Sequence, residues 1–129
     1  MVLIDLLNDF KKKYPSKVSF DPGLSNVGSD IPNILRGFYK FSNGGRFPFG
    51  CIFDIEQAKE KSKRAPFDPD WFFFGSDNYF TYWICRYSQE DGLWITTWDH
   101  ESGNDIEQAV WENLEEFLAE MLQDYEENQ

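Results

Sequence analysis

At 129 residues the chain is long enough for one domain with a real core and too short for two ordinary ones. Aromatic residues make up 19% of it, which excludes general disorder, and no apolar run approaches the roughly 20 residues that a membrane helix needs. The net charge of −11 is divided unevenly: residues 1–66 hold 11 Lys/Arg against 7 Asp/Glu (+4), whereas residues 67–129 hold one, Arg86, against 16 (−15). An acidic half of that density argues against nucleic acid as a ligand, because phosphates need neutralising cations. It suits a basic protein partner, whose approach such a field accelerates. No charged segment leads into an apolar stretch at the start, so a cytoplasmic location and no membrane partner are expected. Cys51 and Cys85 make neither a disulfide framework nor a thiolate metal site, and both stand in apolar runs as small buried hydrophobes.

In residues 3–14, Leu3, Leu6, Leu7, Phe10 and Tyr14 recur at helical spacing, which predicts a short amphipathic helix ended by Pro15. Lys11, Lys12 and Lys13 sit near its C-terminus, where cations suit the helix dipole. A polar connector over residues 16–30 follows. A second helix opens at Asp30 or at Ile31-Pro32 and carries Ile34, Leu35, Phe38, Tyr39 and Phe41. Asn43-Gly44-Gly45 is expected to stop it by supplying a left-handed cap, and Gly37 to mark close helix–sheet packing. Residues 47–55 read as a strand, and residues 56–66 as a short helix or a surface loop. The cations in that segment, Lys59, Lys61, Lys63 and Arg64, read as a solvated face.

Residues 71–98 hold 11 of the chain's 24 aromatic side chains. Three aromatic or β-branched runs, 71–74, 79–87 and 93–98, are separated by Gly-Ser-Asp-Asn and Gln-Glu-Asp-Gly, which predicts successive antiparallel strands with a hairpin turn at Asp91-Gly92. Neither side of the middle run is plainly polar, so both faces of the sheet need cover from helices or from a partner. A polar loop follows Trp98. Asn113 and Glu116 stand at capping-box spacing before the apolar stripe Leu114, Phe117, Leu118, Met121, Leu122 and Tyr125, so a C-terminal amphipathic helix should lie on one face of the sheet. The expected fold is a single α+β domain over residues 1–129, an antiparallel sheet flanked by N-terminal helices and a C-terminal helix.

Nothing here demands catalysis, a cofactor or a metal. One histidine, His100, cannot build a multi-histidine metal centre, and Asp99-His100-Glu101 are neighbours in a loop with no nucleophile tied to them. The carboxylate pairs Asp99/Glu101 and Glu115/Glu116 lack the alternating oxygen-ligand pattern of a calcium loop.

Ile31-Pro32, Phe38-Tyr39 and Ser42-Asn43-Gly44-Gly45 follow one another as in the SUKH superfamily of Smi/Knr-like domains. Trp71 with Phe74-Gly75-Ser76-Asp77, then Trp98-Asp99-His100-Glu101, then residues 113–118 continue the resemblance in order. It implies a non-enzymatic α+β domain in which Asn43 and Gly44 cap the preceding helix while Phe117 and Leu118 pack the last helix on the sheet. It further implies a bacterial immunity protein that neutralises a cognate polymorphic or contact-dependent toxin, often a nuclease, by occluding its active site. The alternative is an intracellular scaffold or regulatory module of the Smi/Knr type. The partner would be basic, met by Asp77, Asp99, Glu101, Asp105 and Glu112 with Trp94 and Trp111 as aromatic anchors, and the chain a monomer or weak homodimer.

Overall fold

A computed structural model describes residues 2–65, 70–79, 81–87, 93–99 and 110–128. In chain order the elements are α1 (Leu3–Lys13), β1 (Ser19–Phe20), α2 (Asn33–Phe41), β2 (Gly45–Phe47), β3 (Gly50–Ile52), α3 (Ile55–Arg64), β4 (Trp71–Asp77), β5 (Tyr82–Arg86), β6 (Ile95–Trp98) and α4 (Leu114–Glu127). The six strands form one antiparallel sheet in the order β1-β2-β3-β4-β5-β6, so each pairs with its neighbour in the chain. This is the α+β architecture that the alternation of apolar runs and turn residues predicts.

Side chains alternate across a strand, and β5 shows the consequence most clearly. Trp83 and Cys85 point to one face, Tyr82 and Ile84 to the other. The first face carries Phe72, Phe74, Trp83, Cys85 and Ile95, and against it α1, α2 and α4 bury Leu7, Phe10, Leu35, Phe38, Tyr39, Leu114, Phe117 and Leu118 in one continuous core. Phe117 meets both Phe74 and Trp83 edge-on, with ring centroids 6.0 and 5.2 Å away. The second face holds a smaller cluster of Trp71, Phe73, Ile84 and Trp98, extended by Phe53, Ala65, Tyr82 and Leu93. Here α3 lies alongside β4. β3 stops before the first half of β4, and Ser62 Oγ takes its place by accepting from the Phe73 N–H at 2.9 Å.

Several boundaries differ from expectation. The single strand predicted over 47–55 is two strands, because Pro48 has no N–H to give a ladder and the chain turns through Pro48-Phe49 into Gly50. A Cβ on Gly50 would stand 2.7 Å from Trp83 Cζ2, so glycine is what lets the turn pass the buried indole. Asp54 then caps α3, its Oδ1 accepting from Gln57 N–H at 2.9 Å, which resolves the helix-or-loop alternative. Gly75, Ser76 and Asp77 continue β4 instead of ending it. A bulge between Phe73 and Gly75 absorbs Phe74 as one extra residue, and Phe73 and Phe74 are both buried. β1 falls inside the stretch read as a connector. Helix α2 begins after Pro32, and its C-cap Ser42 is extended, so no left-handed cap closes it. The left-handed residue is Gly44, at φ 96°, where a Cβ would meet the Asp54 N–H nitrogen at 2.9 Å. Gly37 faces solvent with open space around it, so close packing does not explain it. Cys85 is buried as expected, whereas Cys51 is only half-buried. The expected Asp91-Gly92 turn lies outside the described residues.

Candidate partner-binding surface

The antiparallel register brings the end of β4, the start of β5 and the end of β6 together: Ser76 pairs with Tyr82, and Tyr82 with Trp98. Asp77 and Asp99 therefore stand at one end of the sheet, two strands apart, about 10 Å by ordinary strand spacing. Asp99 is exposed. The Asp77 carboxylate is committed to the turn, because its Oδ1 accepts from both the Tyr79 and the Thr81 N–H at 2.8 Å. Asn78 ties the same turn to the β2–β3 turn, its Nδ2 donating to the Pro48 carbonyl at 3.1 Å.

Trp94, Trp111 and Glu112 lie at the opposite end of β6. The Trp94 N–H donates to the Trp111 carbonyl at 2.9 Å, and Ile95 and Trp111 form a bridge that covers this part of the sheet edge. Both indoles are half-buried against the main core. Trp111 packs edge-on against Phe117 at 5.0 Å, and its Nε1–H donates to Glu120. Glu112 is exposed immediately before the α4 cap. Of the seven residues singled out in the sequence, the five described ones fall in two places, Asp77 and Asp99 at one end of the sheet and Trp94, Trp111 and Glu112 near the other end of β6, while Glu101 and Asp105 lie outside the described residues.

A more regular arrangement lies on α4, where the sequence already places Glu115, Glu116, Glu120 and Asp124 opposite the apolar stripe. Glu112, Glu116, Glu120 and Asp124 recur every four residues and all are exposed. Glu112 precedes the Asn113 cap and lies outside the helix; within α4 four residues advance the helix by about 6 Å, so Glu116, Glu120 and Asp124 form a row along its outer side. The helix carries no Lys or Arg to interrupt it. This acidic side is legible in the sequence, where it reads as the solvated face of an amphipathic helix and not as a place of recognition. The start of the row is set by Asn113, whose Oδ1 accepts from the Glu116 N–H at 2.8 Å as the capping pattern predicts.

The far end of α4 is used for structure. Glu126 accepts from Lys13 Nζ at 2.5 Å and from the Tyr14 hydroxyl at 2.7 Å, and Lys17 Nζ donates to Tyr125 Oη at 3.0 Å. The hydrogen bond to Glu126, and then the cost of desolvation and that carboxylate's charge, push the Tyr14 hydroxyl up to about 12. Lys13 first, and Tyr14 second, hold the Glu126 carboxyl below its ordinary value. Two of the three N-terminal lysines are thereby accounted for, since Lys11 Nζ caps carbonyls of Pro15 and Val18. In α3, Lys59 pairs with Asp30 at 3.1 Å, Arg64 with Glu60 at 2.7 Å, and Lys61 lies 5.0 Å from the Phe53 ring centre.

Open grooves flank α3. One of about 370 Å³ is lined by Gln57, Lys61, Arg64, Phe73 and Tyr82. Burial pushes the Tyr39 hydroxyl and the Cys85 thiol upward, so both stay protonated at neutral pH. Among the described residues, no three or more His, Cys, Asp or Glu are gathered as a metal site would require, and no helix is long and apolar enough to cross a membrane.

A profile of the SMI1 / KNR4 family (SUKH-1) matches residues 25–120. The chain belongs to this family. The matched stretch runs from before α2 through β6 and into α4, leaving α1 and β1 outside. No curated protein matches the chain. The SUKH-1 family is generally non-catalytic. Its Ser-Asn-Gly-Gly segment has a structural explanation here. Ser42, fully buried, accepts from the Asp21 N–H at 3.0 Å and donates to the Gly44 carbonyl. Asn43 Oδ1 accepts from the Ile55 N–H at 2.9 Å. Asn43 therefore caps the helix that follows, α3, and not the helix before it as the resemblance implied. Phe117 and Leu118 are fully buried against the sheet, as it implied.

Proposed function

We propose that this SUKH-1 domain is a non-enzymatic immunity protein that binds a basic toxin domain, a nuclease being the best fit, and occludes its active site. The observation that carries this reading is the carboxylate row Glu116, Glu120 and Asp124 on the exposed side of α4, preceded by the exposed Glu112, within a half-chain of charge −15. A nuclease must be cationic where it meets phosphates. A row of negative charges about 6 Å apart on a rigid helix is a suitable counterpart for such a groove. The family membership supports the same reading, because a generally non-catalytic domain acts by what it binds.

The test is co-purification of the tagged chain from cells that express the large gene adjacent to its own. A stoichiometric complex that dissociates with rising salt is the expected result, since exposed pairs are screened within a Debye length of about 8 Å at physiological ionic strength. Changing Glu116 and Glu120 to Gln and Asp124 to Asn should weaken the complex while leaving the fold intact. A tight complex indifferent to these changes would move the interface off α4. Absence of both a complex and rescue from the toxin would favour a scaffold of the Smi/Knr type.

A further inference from the structure

The chain buries or half-buries nearly every aromatic side chain described, with two exceptions: Tyr87 is 42% exposed and Tyr79 is 84% exposed. Tyr87 still packs edge-on against Phe72 at 5.7 Å. The Tyr79 ring meets no other ring among the described residues. Its exposure is not that of a loose loop. The Tyr79 and Thr81 N–H groups both donate to Asp77 Oδ1 at 2.8 Å, the Asp77 N–H donates to the Thr81 carbonyl at 3.0 Å, and Asn78 reaches across to Pro48 at 3.1 Å. Four hydrogen bonds therefore hold the backbone that presents a phenol to solvent.

A large side chain on a fixed backbone is what an interface anchor needs. Its burial removes much apolar area from water, and only two side-chain torsions remain to be ordered on binding. Among the described residues nothing packs a ring on it, and at 84% exposure the apolar body is open to another molecule. Asp99 stands on one flank of the tip, at the end of β6, and is exposed. On the other flank Arg46 and Lys17 share a groove of about 360 Å³ with Asn78, and Lys17 is taken up by Tyr125.

We infer that Tyr79 is an anchor of the toxin interface, its ring entering a pocket whose cationic rim lies on the Asp99 side. This rests on the reading of the domain as a partner of a basic toxin and adds to it a residue that charge alone would not select. The test measures Kd for the refolded toxin domain encoded by the adjacent gene against the wild-type chain, Tyr79→Ala, Tyr79→Phe and the α4 triple variant, with Tm recorded for each. Tyr79→Ala should weaken binding by about 30-fold or more, the lower bound for a hot spot, at unchanged Tm, and Tyr79→Phe should stay within a few-fold of wild type. A Tyr79→Ala complex within about three-fold of wild type overturns this inference alone and leaves the immunity reading standing. No complex with the wild-type chain overturns both.

Discussion

Replacing Asp77 with alanine separates what this carboxylate does for the fold from what it could do for a partner. Its Oδ1 accepts two backbone N–H bonds at 2.8 Å and so closes the β4–β5 connection. A hydrogen bond to a charged acceptor contributes about 1.5–3 kcal/mol, and a neutral one about 1 kcal/mol. The turn is open to water, which can rehydrate the freed N–H groups, so the combined loss should be about 1–2 kcal/mol. At about 2.1 cal/mol/K of unfolding entropy per residue, a chain of 129 residues shifts its Tm by about 4 °C per kcal/mol. The alanine variant should therefore melt about 4–8 °C lower in far-ultraviolet circular dichroism at pH 7. Asp77→Asn keeps an oxygen acceptor at the same place and should lose no more than about 2 °C. An alanine variant within about 1 °C of wild type would refute the turn-closing role. An asparagine variant as damaged as alanine would show that charge, not acceptor geometry, is what matters.

Other expectations follow from contacts on opposite sides of the molecule. Gly37→Ala should raise stability by about 0.5–1 kcal/mol, because the residue is helical and exposed and an added Cβ meets nothing within 4 Å; a lowered Tm would contradict the open space seen there. The Tyr14–Glu126–Lys13 triad should show in titrations. Tyr14, raised to about 12, adds stability that is complete below its ordinary value of 10 and lost as pH rises through 12. Glu126, lowered from 4.5, adds stability that is present above 4.5 and lost as pH falls through its depressed value. Ultraviolet titration of Tyr14 should move down toward 10 in Glu126→Gln, and no movement would mean that the pair is not formed in solution.

The long amphipathic helices and the aromatic strands were legible because each carries its own period and punctuation. Asn113 three residues before Glu116 marks its helix at the backbone atom that it caps. The short elements were not legible. β1 is two residues long, too short for any alternation to register, and exists because Phe20 packs edge-on against Phe41 and Phe47. Residues 47–55 look like one apolar strand because the residues of the Pro48-Phe49 turn are themselves buried or half-buried. Asn43 reads as a cap of the helix before it because capping is a local pattern, whereas its partner Ile55 is twelve residues on. The candidate surface was read in the same partial way. Composition pointed to acidic residues in the C-terminal half, but only the folded register shows that Asp77 serves a turn and that Trp94 and Trp111 support the core. The isolated Tyr79 ring emerges once burial is known.

The strictly sequential order of the sheet bears on how such a domain can change over generations. Each strand pairs with its chain neighbour, so lengthening or shortening one connection displaces no strand from its partner. Doubling the length of a flexible loop costs only about 0.6 kcal/mol in closure entropy. The tips that face solvent, with the residue that now stands at position 79 among them, are free to be rewritten while the paired frame beneath them is inherited unaltered.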